Sequence, residues 1–214
     1  MYSSKDISKA LREVKEKGKK RKFLQSIDLV VNLNLDMEKP ENRLNEEVLL
    51  PNGRGKKVKI GVIAEGELAH QAKKPTDMVI TKEELTELAK DKKAAKKIVT
   101  NIEFFIAQAD MMPLVGKHLG QILGPTGKMP KPVPVNASLV PIVERLRKTI
   151  RLRTKDNPVL HAIVGTEEMK DKLLVQNVEA VMQYLERKLE KGHDDIRSAY
   201  LKTTMGKGVK LEAS

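Results

Sequence analysis

The run Ser198-Ala199-Tyr200-Leu201-Lys202-Thr203-Thr204-Met205-Gly206-Lys207 closes the last strand-like stretch of the chain. Two hydroxyls, a flexible thioether and a bare glycine at a strand end allow close backbone approach to a ribose and a hydrogen bond to its 2′-hydroxyl. Thr is also ordinary in strands, so this run alone is a weak signal. Arg21-Lys22-Phe23 is a second candidate. Its ring either packs in the core below the first strand or meets a partner beside two cations. It overlaps a basic run, Lys15 to Lys22, with six Lys or Arg and one Glu. Such a run is a solvated helix end or a phosphate contact.

The segment Gly124–Pro134, GPTGKMPKPVP, invites comparison with a phosphate loop. That pattern needs Ser or Thr after Gly-Lys, and Gly127-Lys128 is followed by Met129. It also follows a helix, whereas a phosphate loop opens one. Two readings remain. Lys128, Lys131 and glycine amides could touch RNA backbone, or four of the ten prolines build a stiff connector. Gly61 and Gly66 in GVIAEGELA do not make a dinucleotide fingerprint. His70, His118, His161 and His193 never pair at i, i+4, and cysteine is absent. No catalytic residue, metal site or cofactor is expected, and the chain is not expected to be an enzyme.

Composition narrows the partner. The 214 residues are 40% hydrophobic and 33% charged, with a formal charge of +12. A core is available, and the surplus attracts a polyanion. The N-terminus lacks the apolar stretch of a signal peptide, and no apolar run reaches the roughly 18 residues of a membrane span. The expectation is a cytoplasmic RNA-binding protein without a membrane partner. Aromatics are only Tyr2, Phe23, Phe104, Phe105, Tyr184 and Tyr200. Too few rings exist for a stacking platform, which favours folded RNA read by shape, phosphates and 2′-hydroxyls.

The elements that must position these residues follow from periodicity. A helix is expected over 5–17, with Ile7, Ala10, Leu11 and Val14 on one face. Ile27–Leu35 and Leu44–Leu50 read as an antiparallel strand pair. After the turn-rich Pro51-Asn52-Gly53-Arg54-Gly55 come a buried strand Lys57–Ala64, a helix near Glu67–Lys74, a strand Asp77–Ile80 and a helix Lys82–Val99. A strand Phe104–Ala109 and a helix Met112–Leu123 complete a parallel α/β unit. Then follow a helix Ser138–Thr149, strands Ile150–Arg153 and Leu160–Val164, a long helix Leu173–Lys191 stopped by Gly192, and a strand Ile196–Thr203.

Both break segments, 51–56 and 124–136, flank the same middle unit. The expectation is α/β and α+β: residues 1–56 and 137–214 form a split antiparallel-sheet α+β domain, and 57–136 an inserted Rossmann-like three-layer α/β domain. Gly53, Gly55, Pro132 and Pro134 would be the hinge. Segment 57–134 carries 13 Lys, no Arg and 9 acids, so all ten Arg lie outside it. Arg is the better bidentate phosphate ligand, which points to the outer domain for RNA contact.

Four segments together resemble the large-subunit ribosomal protein one family (the L-one family) in its archaeal form. They are PNGRGKKVKIGVIAEG (51–66), FFIAQADMMPLVGKHLGQILGPTGKMPKPVP (104–134), HAIVGT (161–166) and YLKTTMG (200–206). The resemblance spans essentially the whole chain. It implies the same two-domain organisation and a structural protein of the large ribosomal subunit, a monomer when free. The implied partners are large-subunit rRNA at the stalk near the tRNA exit site, deacylated tRNA whose release it assists, and its own mRNA, whose translation it represses. By motif the RNA contacts fall on Lys22, Phe23, Ser26, Ser198, Thr204, Met205 and Gly206. Lys155, in the loop TKDNP after Arg153, is a looser match. Two other classes compete. A ribosome-assembly factor would use the same domain and add charged tails. An enzyme would need an acid-base pair at the strand ends of the inserted sheet, and the sequence offers none.

Overall fold

The computed structural model describes residues 2–19 and 21–212. Along the chain run α1 (Ser4–Lys17), β1 (Ser26–Leu33), β2 (Asn45–Leu49), β3 (Ile60–Ile63), α2 (Gly66–Ala72), β4 (Met78–Ile80), α3 (Lys82–Lys90) and α4 (Lys92–Asn101). Then come β5 (Phe104–Gln108), α5 (Met112–Thr126), β6 (Lys131–Val133), α6 (Leu139–Arg147), β7 (Thr149–Arg153), β8 (Val159–Thr166), α7 (Asp171–Lys188), β9 (Ile196–Thr203) and β10 (Val209–Lys210). The chain divides into two compact units, Met1–Lys56 with Lys148–Ser214, and Lys57–Arg147.

In the first unit the sheet order is β10-β9-β1-β8, all antiparallel, with a separate antiparallel pair β2-β7. Strand β1 is central. Its inward residues Ile27, Leu29, Val31 and Leu33 are buried with Ile7, Leu11 and Val14 of α1 and Leu174, Val178, Val181 and Leu185 of α7. A Ser3–Asp6 capping box starts α1, satisfying two helix-end N–H groups. β1 and β2 were expected to pair with each other, and they do not. Each pairs instead with the second half of the chain, β1 with the eight-residue β8 and β9, and β2 with β7 along its whole length. Helix α7 ends at Lys188, before Gly192, because Leu189 turns extended and buries its side chain.

The second unit is a parallel sheet in the order β4-β3-β5-β6 with helices on both faces. Period-two alternation sorts its core. Ile60, Val62, Phe104 and Ile106 join Leu68 of α2 and Leu139, Val143 and Leu146 of α6. Ile63, Phe105 and Ala107 join Leu85 of α3, Val99 of α4 and Val115, Leu119 and Leu123 of α5. The helix expected over 82–99 is two helices, since the Asp91 carboxylate accepts the N–H groups of Lys93 and Ala94 and caps α4.

The second passage between units was expected at 136/137 and lies at 147/148. Helix α6 carries three apolar side chains that bury only against the parallel sheet. Arg145 and Arg147 therefore belong to the inserted unit, and eight of the ten Arg lie in the first. Pro132 is in β6, an edge strand where a missing N–H is tolerated, and Pro134 follows it. Neither lies at a passage between units. The segment 124–134 is thus not a connector. Gly127, at φ 69, closes α5, with its N–H on the Gly124 carbonyl and that of Lys128 on the Leu123 carbonyl.

Helix α5 also carries Gly116, Gly120 and Gly124, where an added Cβ would meet nothing within 4 Å. A mid-helix glycine costs about 1 kcal/mol relative to alanine. Gly120→Ala should therefore raise stability by about that amount, read as a higher urea midpoint; a lower midpoint would show a constraint the packing does not contain.

Candidate nucleic-acid interface

Strand alternation gives the first unit's sheet two unlike faces. One is covered by α1 and α7. The other shows Asp28, Val30 and Asn32 of β1, His161 and Ile163 of β8, and Ser198, Tyr200 and Lys202 of β9, all half-buried or exposed. The register places Ile163, Asp28 and Lys202 in one cross-strand row, His161, Val30 and Tyr200 in the next, and Val159, Asn32 and Ser198 in a third. Asn32 Nδ2 donates to Ser198 Oγ at 2.9 Å. This is an open, mostly polar surface and not a pocket.

One end of that face is a tightly bonded junction. The Ser26 N–H donates to Thr204 Oγ1 at 3.0 Å, and the Thr204 N–H donates to the Ser26 carbonyl at 3.0 Å. The Met205 N–H donates to Gln25 Oε1 at 3.3 Å. Gln25 is buried; its amide nitrogen donates to the Lys19 carbonyl and to Glu167 Oε2, and its backbone N–H donates to Glu167 Oε1. Lys56 Nζ donates to the Leu24 carbonyl and to Ser26 Oγ, each at 3.0 Å. The junction holds its neighbours outward. Phe23 is 50% exposed and Met205 61% exposed. The ring of Phe23 is therefore a surface group, and the core-packing alternative falls.

The structure brings Ser26, Thr204, Met205 and Gly206 together, and Lys22 and Phe23 are exposed just before the buried Gln25 in the chain. Ser198 is not part of that cluster. It lies six strand residues up β9, about 20 Å away at roughly 3.3 Å per residue. Lys155 is exposed in the β7–β8 loop, four residues before Val159 in the Ser198 row. Gly53 and Gly55 have φ of 64° and 70° in the turn after β2. Asn177 of α7, fully buried, fixes that turn by donating to the Gly53 carbonyl at 2.7 Å and the Val164 carbonyl at 2.8 Å. Of the basic run, Arg21 and Lys22 are exposed, Lys15 pairs with Asp171 at 2.6 Å, and Lys20 lies outside the described residues.

Lys128 is no phosphate ligand. Its ammonium donates to the carbonyls of Val99, Thr100 and Ile102 at the end of α4, which matches a cation to a helix C-terminus. In the same unit the Glu65 N–H, at the end of β3, is taken by Gln108 Oε1. Among the described residues no cluster of His, Asp or Glu could hold a metal, and no helix is long and apolar enough to cross a membrane.

The sequence reading missed Gln25, Glu167, Lys56 and Asp28. Parity could have found two of them. Gln25 shares the inward parity of Ile27 and Leu29, so a polar side chain had to be buried there. Asp28 has the outward parity. Its pKa is raised by burial, against the pull of Lys202, His161 and Lys56. Glu167 and Lys56 meet β1 only through tertiary contacts.

The profile of the ribosomal protein L1p/L10e family matches residues 11–207. The chain is 55% identical over 208 residues to the large ribosomal subunit protein uL1 of Methanothermobacter thermautotrophicus, covering 96% of this chain and 98% of that protein. It is 55% identical to that of Methanothermococcus thermolithotrophicus, over 97% and 98%. For Methanocaldococcus jannaschii uL1 the identity is 50%, over 96% and 94%.

Gly206 has an internal reason to be glycine: an added Cβ would clash with the buried Thr203 Oγ1, which has no hydrogen-bond partner among the described residues. Gly206→Ala should lower the urea midpoint, and adding Thr203→Ala should restore most of the loss. Thr204→Val leaves the Ser26 N–H without its acceptor and should cost about 1–3 kcal/mol in the same measurement, while Thr204→Ser costs less. Equal stability of Thr204→Val and the parent would remove the junction's structural role.

Proposed function

The chain belongs to the ribosomal protein L1p/L10e family, and from that premise we propose that it is a structural constituent of the large ribosomal subunit that binds folded rRNA through its first unit. The observation that carries this reading is the open sheet face with its bonded end. It sets uncharged hydrogen-bonding groups, Thr204, Ser198 and backbone, in a fixed array and turns Phe23 and Met205 outward. Cations at Lys22, Lys56, Lys202 and Lys155 lie on or beside it. Uncharged groups read sugar and base edges, while cations neutralise phosphates.

The finer reading places this RNA in the stalk beside the tRNA exit site. There the protein would assist release of deacylated tRNA. A similar fold in its own mRNA would let it repress its own translation. Family resemblance supports these steps. A shape-reading surface supports them too, because it binds any RNA that presents the same folded contour.

The first unit has its own core, and Lys148 lies against Gly53, so residues 1–56 joined to 148–214 by a short linker should fold. That protein should bind stalk RNA nearly as tightly as the full chain. With about five phosphate contacts, log affinity should fall with log salt at a slope of roughly −4. Specific binding by residues 57–147 alone, or a slope near zero, overturns the assignment.

A further inference from the structure

We propose that Asn52 is a latent modification site: its side-chain amide is lost to attack by the Gly53 backbone nitrogen whenever α7 is undocked, and the folded protein holds that reaction closed. Of the nine asparagines only Asn52 precedes a glycine. The following residue matters because its backbone nitrogen is the nucleophile, and glycine has no Cβ to obstruct the approach. The unfolded chain therefore contains one asparagine more reactive than the other eight. The fold ties up that same pair of residues. Asn52 Nδ2 donates to the Leu173 carbonyl at 3.2 Å and to Gln176 Oε1 at 2.8 Å. The Asn52 N–H donates to Asn177 Oδ1 at 3.1 Å, and Asn177 Nδ2 donates to the Gly53 carbonyl at 2.7 Å. The Gly53 N–H donates to the Leu50 carbonyl at 3.3 Å. Leaving group and nucleophile are thus both engaged, in different directions.

The chemistry needs only water. The deprotonated Gly53 nitrogen bonds to Asn52 Cγ, the Cγ–Nδ2 bond breaks, and Nδ2 departs as ammonia, giving a cyclic imide across the two residues. Water then opens the ring at either carbonyl. The product is aspartate, or isoaspartate with the side chain inserted into the main chain. In the folded protein Nδ2 is held on α7 and the Gly53 nitrogen is turned to Leu50, so ring closure has to wait for local opening. The groups of α7 that close the site lie 121 to 125 residues further along the chain. Protection therefore arrives only when a helix from the far end of the chain docks. A molecule in which α7 stays undocked acquires a carboxylate at position 52. That group is an acceptor only, and on later docking it meets two acceptors, the Leu173 carbonyl and Gln176 Oε1, where the amide had supplied donors. The mark sits in the turn that leads from the first unit to the inserted one, so failed docking is recorded covalently at that passage.

The test incubates the full chain in mildly alkaline buffer, folded and in urea above its unfolding transition, and reads conversion at each asparagine from peptide masses. In urea Asn52 should convert first, well ahead of the other asparagines. In the folded chain it should convert about tenfold or more slowly than in urea, since only opened molecules react. Gly53→Ala, compared in urea where its backbone strain is absent, should slow the reaction; an unchanged rate means direct hydrolysis of the amide and overturns the imide route. In the folded protein Gln176→Ala removes one of the two acceptors that hold Nδ2. Gln176 is exposed on α7 and alanine suits a helix, so this variant should unfold at the parent temperature and still lose the amide several-fold faster. Asn52→Asp, the product with a normal main chain, should have a lower urea midpoint than the parent because both donated bonds are gone. Conversion in the folded parent at the urea rate, no acceleration by Gln176→Ala, or an equal midpoint for Asn52→Asp overturns the proposal.

Discussion

Strand β1 is hydrogen-bonded along both edges to strands from the far end of the chain, and the first unit depends on that pairing. Through it, residues 26–33 acquire neighbours at 159–166 and 196–203, and α1 and α7 acquire one common surface to cover. The alternation of β1 then divides the labour. Ile27, Leu29, Val31 and Leu33 turn into the core, while Asp28, Val30 and Asn32 stay on the open face. A one-residue slip would exchange the two sets, so burial of the aliphatic row also fixes which polar groups face outward.

The same pairing builds the junction at the end of the face. Thr204 and Ser26 exchange hydrogen bonds because β9 runs beside β1 as far as the pair Ile27–Thr203, which sets the next residues of the two strands against each other. Gln25 continues the inward parity of β1 beyond the strand. A buried amide there needs partners on every side, and it finds Glu167, Lys19 and Met205. The exposed Phe23 and Met205 are thus carried by a rigid support. Preorganised groups lose less freedom on binding, which favours recognition of one folded shape over another.

The inserted unit follows another rule. Its strands bury residues on both faces, and its helices end on local devices: Asp91 for the start of α4, Lys128 for its end, Gly127 for the end of α5. Those devices account for much of the GPTGKMPKP segment. A motif with lysine, glycine and proline looks like a ligand loop in sequence, and here its polar groups are spent on the unit's own helix ends and edge strand.

The sequence by itself determined most element positions, the two-unit class and the split of the outer unit around an insertion, because apolar periodicity and turn residues are local signals. It marked Thr204, Met205 and Gly206 at a strand end and Lys22 and Phe23 before a strand. Only the tertiary structure decided what those residues meet. Pairing partners of β1 and β2 are set by the best available edge in the whole chain, so the nearest hairpin in sequence was the wrong choice. The end of the inserted unit is set by which core accepts Leu139, Val143 and Leu146, and an amphipathic stripe does not say which sheet it will cover. Whether Lys128 faces a phosphate or a helix end and whether Phe23 is inside or outside are answers that contacts distant in sequence supply.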